Sequence, residues 1–255
     1  MPTGIHGLFV LLGTSAAVFV FMIEARRRRV MDDRLFAVLL GGLLCGAVAA
    51  RLAVLGRYLH FDPEPSLQGL LLRGGQSVLG GLAGAYFGVL LAKRLVGYRS
   101  STGDVFAPGV ALGLAIGRIG CLLTEPPGRP TGLSWGVVVR EPVPGLPAAW
   151  VGVPLHPSYA YEIAFHALAF VALLRLRGRP GLERGDLFKL YLLGYALFRF
   201  AVEFARANPV AALGLTGSQL FLIPSTLLLA GAWLYRRQRR PDLGRPPALE
   251  TADAG

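Results

Sequence analysis

Residues 105–123 read VFAPGVALGLAIGRIGCLL, nineteen positions with a single charge, Arg118. A helix needs roughly 20 mostly apolar residues, with a range of about 17–25, to cross the hydrocarbon core of a bilayer. Six more stretches come close to that length: 7–23, 35–55, 77–92, 158–174, 187–205 and 219–235. The pattern predicts an all-α fold, a polytopic bundle of seven transmembrane helices.

The composition agrees. Of 255 residues, 53% are hydrophobic and only 16% charged, and there are 34 glycines. Soluble domains carry about 45–50% apolar residues with glycine included, and about 25% charged ones. These values exclude a disordered chain and argue against an ordinary soluble enzyme. Two cysteines cannot build a disulfide framework.

The net charge of +11 would ordinarily raise nucleic-acid binding. The placement of the charges argues otherwise. Seventeen of the 26 Lys and Arg residues lie in the segments after spans one, three, five and seven, and five lie after spans two, four and six. The remaining four, Arg51, Arg118, Lys189 and Arg199, lie inside spans. This alternation is the positive-inside pattern. It predicts an outside N-terminus, a cytoplasmic C-terminus and no nucleic-acid partner.

Met1 to His6 carry no Lys or Arg, so the first span reads as a retained helix rather than a signal peptide. Residues 1–240 are expected to form one transmembrane domain with outer loops at 56–76 and 124–157. The tail 241–255 is expected to be a disordered cytoplasmic segment.

Glycines recur at four-residue spacing: Gly42 and Gly46; Gly80, Gly84 and Gly88; Gly109, Gly113 and Gly117. Each series removes side chains from one helix face, as close helix packing in lipid requires. Room for a ligand is the minor alternative.

Arg51, Arg118 and Arg199 lie four to six residues from the outer ends of spans two, four and six. At 1.5 Å per residue they share a depth of roughly 6–9 Å. Charged residues in spans normally face the bundle interior and find partners. They can instead snorkel outward, and Arg199 can simply pair with Glu203 at i, i+4. Guanidinium is a permanently charged planar fork suited to phosphate. The chemistry points to an outer-leaflet pocket for the phosphate of an anionic phospholipid.

The stretches GRIGCLLTEPPGRPT (117–131), HPSYAYE (156–162) and RFAVEFAR (199–206) resemble the prolipoprotein diacylglyceryl transferase family. So do AARL (49–52), RGGQSVLGGLAG (73–84) and TGSQ (216–219). The resemblance covers most of residues 4–235. It implies an enzyme of the bacterial plasma membrane that moves the diacylglyceryl group of phosphatidylglycerol to the lipobox cysteine thiol of a prolipoprotein signal peptide. Glycerol 1-phosphate leaves, and neither metal nor other cofactor is needed. Arg118 and Arg199 match the family's essential arginines. Arg51, His156, Glu203 and Arg206 match its motifs, as do Gly80, Gly81, Gly117, Gly128, Arg129, Tyr161, Glu162 and Gln219.

The chain departs from the family's pattern at three informative places. Leu79 stands where a histidine has been proposed to take the thiol proton. Cys121 replaces an asparagine, and His6-Gly7 replaces a Tyr-Gly pair. A thiol with a pKa near 8.5 needs only modest help to ionise, and a general base adds about 10²–10⁴-fold. His6, at the outer end of span one, and His156 are the candidate stand-ins. His156-Pro157 can equally serve to start span five, with Pro157 at the first helical position. Cys121 is a packing residue or a nucleophile beside Arg118; Cys45 reads as core, and His166 as locally hydrogen-bonded.

Residues 124–156 are rich in proline and glycine, contain Trp135 and Trp150, and should lie at the outer interface. WGVVV (135–139) is a candidate strand. The loop can guide the protein substrate or act as a connector. A non-catalytic lipid- or lipoprotein-binding paralogue and a transferase with another acceptor stay open. Transport of an anionic lipid or solute is the weakest reading, since the spans offer only Lys189 toward the cytoplasmic face.

Overall fold

The computed structural model describes residues 3–61, 66 and 77–238. Among them are seven α-helices: α1 (Thr3–Arg27), α2 (Asp33–Phe61), α3 (Val78–Leu95), α4 (Gly103–Thr124), α5 (Ser158–Leu176), α6 (Asp186–Val202) and α7 (Gly217–Gln238). Six of these, all but α6, are long and apolar enough to cross a membrane. The stretch expected as span six, 187–205, forms only 17 residues of α-helix and then tightens into a 3-10 turn, Glu203–Ala205. Helix α2 runs to Phe61, so the loop expected from residue 56 starts later. Most of the rest of that loop, and the tail 241–255, fall outside the described residues.

The chain divides into two compact units, Met22–Ser100 and Met1–Phe21 with Ser101–Gly255. In the first, α2 and α3 pack through their glycines. A Cβ at Gly46 would stand 3.1 Å from the Ala85 Cβ, and one at Gly84 would run into Ala49 and the Cys45 carbonyl. Gly80 meets Ala53 in the same way. Ser77 starts α3 by accepting from the Gly80 amide at 3.1 Å, which satisfies one of the otherwise unpaired amides of a first turn.

In the second unit, α4 packs against the first part of α1. A Cβ at Gly109 would stand 2.5 Å from the Ala17 carbonyl oxygen, and one at Gly113 would stand 2.8 Å from that of Gly13. Gly117 breaks the expected series, because a Cβ there would meet nothing within 4 Å. Ala107 and Ala111 of α4, Leu173 of α5, and Leu187 and Tyr191 of α6 form the apolar core. At one end of this core the Asp104 carboxylate accepts from the Gly185 and Leu187 amides at 2.8 and 3.1 Å, tying α4 to the start of α6. Asp186 accepts from Trp233 Nε1 of α7 at 2.8 Å.

Two small hairpins complete this unit. β1 (Val137–Val138) pairs antiparallel with β2 (Pro154–Leu155), where WGVVV suggested a strand. β3 (Val210–Ala212) pairs with β4 (Leu215–Thr216) across Leu213 and Gly214, both at positive φ. Two such residues make the hairpin turn whose twist matches that of its strands.

The α2–α3 contact gives a direct prediction. Gly84→Val forces overpacking, costing about 1–3 kcal/mol, and lowers the melting temperature of the purified protein. Gly117→Ala, into open space, leaves it unchanged. Equal melting temperatures for the two variants would overturn the assignment.

Candidate active site

Four elements of the second unit bring buried charges together at one end of their helices. Arg118 sits in the second turn from the end of α4, Glu162 on the second turn of α5, and Arg199 in the last turn of α6. The 3-10 turn that ends α6 supplies Glu203 and leads into Arg206. Arg118, Glu162, Arg199 and Glu203 are each 7% exposed or less.

Glu162 is the hub. One carboxylate oxygen lies 2.6 Å from Arg118 Nη2, and the other accepts from Arg206 Nη1 at 2.7 Å. Arg206 Nε approaches Glu203 at 3.9 Å, and Glu203 is in turn paired with Arg199. The result is a continuous series, Arg118–Glu162–Arg206–Glu203–Arg199. Three guanidinium groups against two carboxylates leave one net positive charge. The i, i+4 pairing open to Arg199 is formed, but Glu203 is not Arg199's alone. Its other oxygen accepts from Asn208 Nδ2 and Thr216 Oγ1, each at 2.8 Å.

The surroundings explain why the charges hold this geometry. Thr216 and Gln219 form a reciprocal cap at the start of α7. The Thr216 amide donates to Gln219 Oε1 at 3.0 Å, and the Gln219 amide donates to Thr216 Oγ1 at 3.4 Å. TGSQ is therefore a capping box. Gln219 Nε2 also donates to the Phe200 carbonyl at 3.2 Å, fixing α7 to α6. One turn inward from Glu162, His166 is fully buried and bonded through Nδ1 to the Tyr191 hydroxyl at 3.0 Å. Its ring stacks obliquely on Tyr195, with centroids 4.7 Å apart.

Gly128 and Arg129 act on the backbone. The Gly128 amide donates to the His156 carbonyl at 2.8 Å, and the Arg129 amide donates to that of Ala205 at 2.9 Å. Arg129 Nε donates to the Arg206 carbonyl at 3.0 Å. A Cβ at Gly128 would collide with the Ala205 carbonyl. Only glycine lets the loop approach this closely, which explains the Gly-Arg pair in the motif.

His6 and Cys121 meet at the edge of the cluster. Gly120 lets α1 approach α4, its absent Cβ leaving room for Phe9 and the His6 backbone. Cys121 Sγ lies 3.7 Å from Arg118 Nη1 and 4.0 Å from His6 Nδ1, which is 3.9 Å from a Glu125 oxygen. The other Glu125 oxygen accepts from the Tyr159 hydroxyl. Tyr159 also accepts from Arg206 Nη2 at 3.1 Å, under a guanidinium 4.5 Å from its ring.

The structure thus brings together Arg118, Glu162, Arg199, Glu203 and Arg206, with His6 and Cys121 alongside and Gly128, Arg129 and Gln219 in support. The His156 ring is engaged by a tyrosine instead. Its Nδ1 pairs with the Tyr161 hydroxyl at 3.2 Å, and Tyr161 accepts from Trp135 Nε1 at 3.0 Å. Pro157 precedes the first residue of α5 rather than occupying it. Arg51, Gly80 and Gly81 belong to the other unit. Reading the sequence did not single out Glu125, Tyr159 or Asn208. The signal for Tyr159 was present, since it precedes Glu162 by three residues and so shares its helix face.

Removing one partner from a buried ion pair costs about 3–5 kcal/mol, because the other charge is stranded. Glu162→Ala strands the Arg118 guanidinium and takes from Arg206 its nearer carboxylate, so its melting temperature should fall well below that of the parent, and Glu162→Asp should recover part of the loss. An unchanged melting temperature for Glu162→Ala would refute the hub.

A family model described as prolipoprotein diacylglyceryl transferase matches residues 2–235. Proteins named phosphatidylglycerol–prolipoprotein diacylglyceryl transferase are similar over nearly the whole chain. That of Azotobacter vinelandii is 35% identical, covering 94% of this chain and 93% of its own. That of Bordetella bronchiseptica is 33% identical with the same coverage. That of Pseudoalteromonas atlantica is 29% identical over 98% of this chain and 91% of its own.

Proposed function

The chain belongs to the prolipoprotein diacylglyceryl transferase family, and we propose that it moves the diacylglyceryl group of phosphatidylglycerol onto a prolipoprotein's lipobox cysteine. The observation that carries this reading is the buried series from Arg118 to Arg199, with its single excess positive charge. In the reaction a thiolate sulfur bonds to the glyceryl carbon while the carbon–oxygen bond to phosphate breaks. A phosphodiester with one negative charge becomes glycerol 1-phosphate with two. Preorganised cations in a dry site favour that gain of charge. Arg118, Arg206 and Arg199 supply them, and Glu162 and Glu203 hold the forks in place before substrate arrives.

His6 is assigned to the acceptor thiol, in the role that Leu79 cannot fill. His156, bonded to Tyr161 beside Trp135, is assigned to the loop that receives the protein substrate. The chain is placed in the bacterial plasma membrane as seven spans with the N-terminus outside, α6 and its 3-10 turn making the sixth. The alternation of basic segments supports that orientation, and a reporter fused after Gln238 should be active only on the cytoplasmic side.

Purified protein incubated with labelled phosphatidylglycerol and a lipobox peptide should yield a thioether-linked peptide and glycerol 1-phosphate. Arg118→Ala and Arg199→Ala should each lower turnover by roughly 10²-fold or more. Absence of product from the parent protein overturns the transferase reading. Full activity in both variants overturns the phosphate assignment.

A further inference from the structure

We propose that the β3–β4 hairpin is a lipid anchor, whose tip at Leu213 inserts into the leaflet on the active-site side while its two legs hold Glu203. The hairpin has the wrong composition for a turn in water. Pro209 to Gly214 are all exposed, and none carries a polar side chain. No charged residue occurs between Arg206 and Arg236. Turns facing water favour Asn, Asp, Ser and Gly. Leu213, 91% exposed, is the most exposed large hydrophobic residue among those described. A run of exposed apolar residues this long marks a contact surface.

The backbone sharpens the case. Leu213 has φ 52° and Gly214 φ 72°. Side chains other than Asn and Asp enter this left-handed region at a cost, and Asn-Gly is the pair such a turn prefers. A leucine here is strained and also exposes apolar surface to water. Both costs are offset when the side chain leaves water. Chain connectivity says where it goes. β4 runs straight into α7, a helix long and apolar enough to cross a membrane. Exposed Phe204, in the 3-10 turn before the hairpin, and exposed Phe221, early in α7, continue the apolar surface along the chain on either side. The other hairpin carries Arg140 and Glu141 between its strands, as a loop in water should. The occupant that fits the Leu213 tip is therefore the acyl-chain region of the bilayer.

The consequence for turnover rests on the transferase reading above. The hairpin register sets Val210 opposite Thr216, so its two legs end side by side. Asn208, just ahead of β3, and Thr216, in β4, donate to the same Glu203 oxygen at 2.8 Å each. The other Glu203 oxygen faces Arg199 and Arg206. A tip held in lipid thus fixes the legs that grip Glu203, and Glu203 holds two of the phosphate-binding guanidinium groups. Leu213 touches neither phosphate nor thiol. It is a positioning residue, setting the depth of the cations against the leaflet that supplies phosphatidylglycerol.

The test uses the full chain in vesicles of phosphatidylglycerol and phosphatidylethanolamine. Leu213→Cys, in a background of Cys45→Ser and Cys121→Ser, is labelled with an environment-sensitive nitrobenzoxadiazole fluorophore. Its emission should be blue-shifted and quenched by lipids with a nitroxide high on the acyl chain. The same label at Arg140→Cys should emit as in water and escape quenching. Aqueous emission at the hairpin tip overturns the anchor. A blue shift that appears only after a lipobox peptide is added also overturns it, and assigns the tip to the apolar signal peptide instead. Leu213→Asn suits the turn's backbone, so its melting temperature should match the parent's, while turnover at saturating phosphatidylglycerol should fall at least threefold. Leu213→Met should retain parental turnover. Full turnover in Leu213→Asn, with the tip label embedded, overturns the coupling to Glu203 and sustains the anchor. The label reads without any reaction, so absence of thioether product from the parent overturns the transferase reading alone.

Discussion

One carboxylate sets the terms for this end of the molecule. Glu162, fully buried on α5, is gripped by Arg118 from α4 and by Arg206 from the segment after α6. The Arg118 guanidinium could not stay buried without it, since an unpaired charge in a low-dielectric interior costs several kcal/mol. The same carboxylate therefore fixes where three segments meet. Its cost in desolvation is offset by geometry: two separate forks, one per oxygen, with Tyr159 completing the Arg206 side.

The placement of the remaining groups follows from how helices end. Helix α6 tightens at Glu203, and the change of pitch turns Glu203 toward Thr216 and Asn208 while Arg206 swings back to Glu162. A regular helix through 205 would hold Arg199, Glu203 and Arg206 on one stripe. The turn distributes them around a centre. The family's position in lipoprotein lipidation makes chemical sense of such a centre, where cations must be present, fixed and dry before a phosphate departs.

Much of this was legible in the sequence, and the reasons for the gaps are specific. Hydropathy located the helices because bilayer thickness dictates their length. The stretch 187–205 misled by only a few residues, since composition does not reveal where an α-helix gives way to a 3-10 turn. Four-residue glycine spacing marked bare faces on α2, α3 and α4 through which helices do pack, yet Gly117 carries the same spacing into open space. Periodicity names a face and not what lies opposite it. Arg118, Glu162, Arg199, Glu203 and Arg206 were visible as rare charges in apolar runs. That one glutamate would serve two arginines was not, because pairing across helices depends on rotation about each axis. His6 and Cys121 are 115 positions apart, and their meeting depends on the missing side chain at Gly120.

The link through Gly128 has a mechanical corollary. The loop after α4 is joined to the turn carrying Arg206 twice over by Arg129, through its amide on the Ala205 carbonyl and its Nε on the Arg206 carbonyl. Any polypeptide that presses on the Trp135 loop would transmit its displacement through a stiff strut to the guanidinium gripping Glu162. Docking at the rim and charge alignment at the centre would then be one movement rather than two.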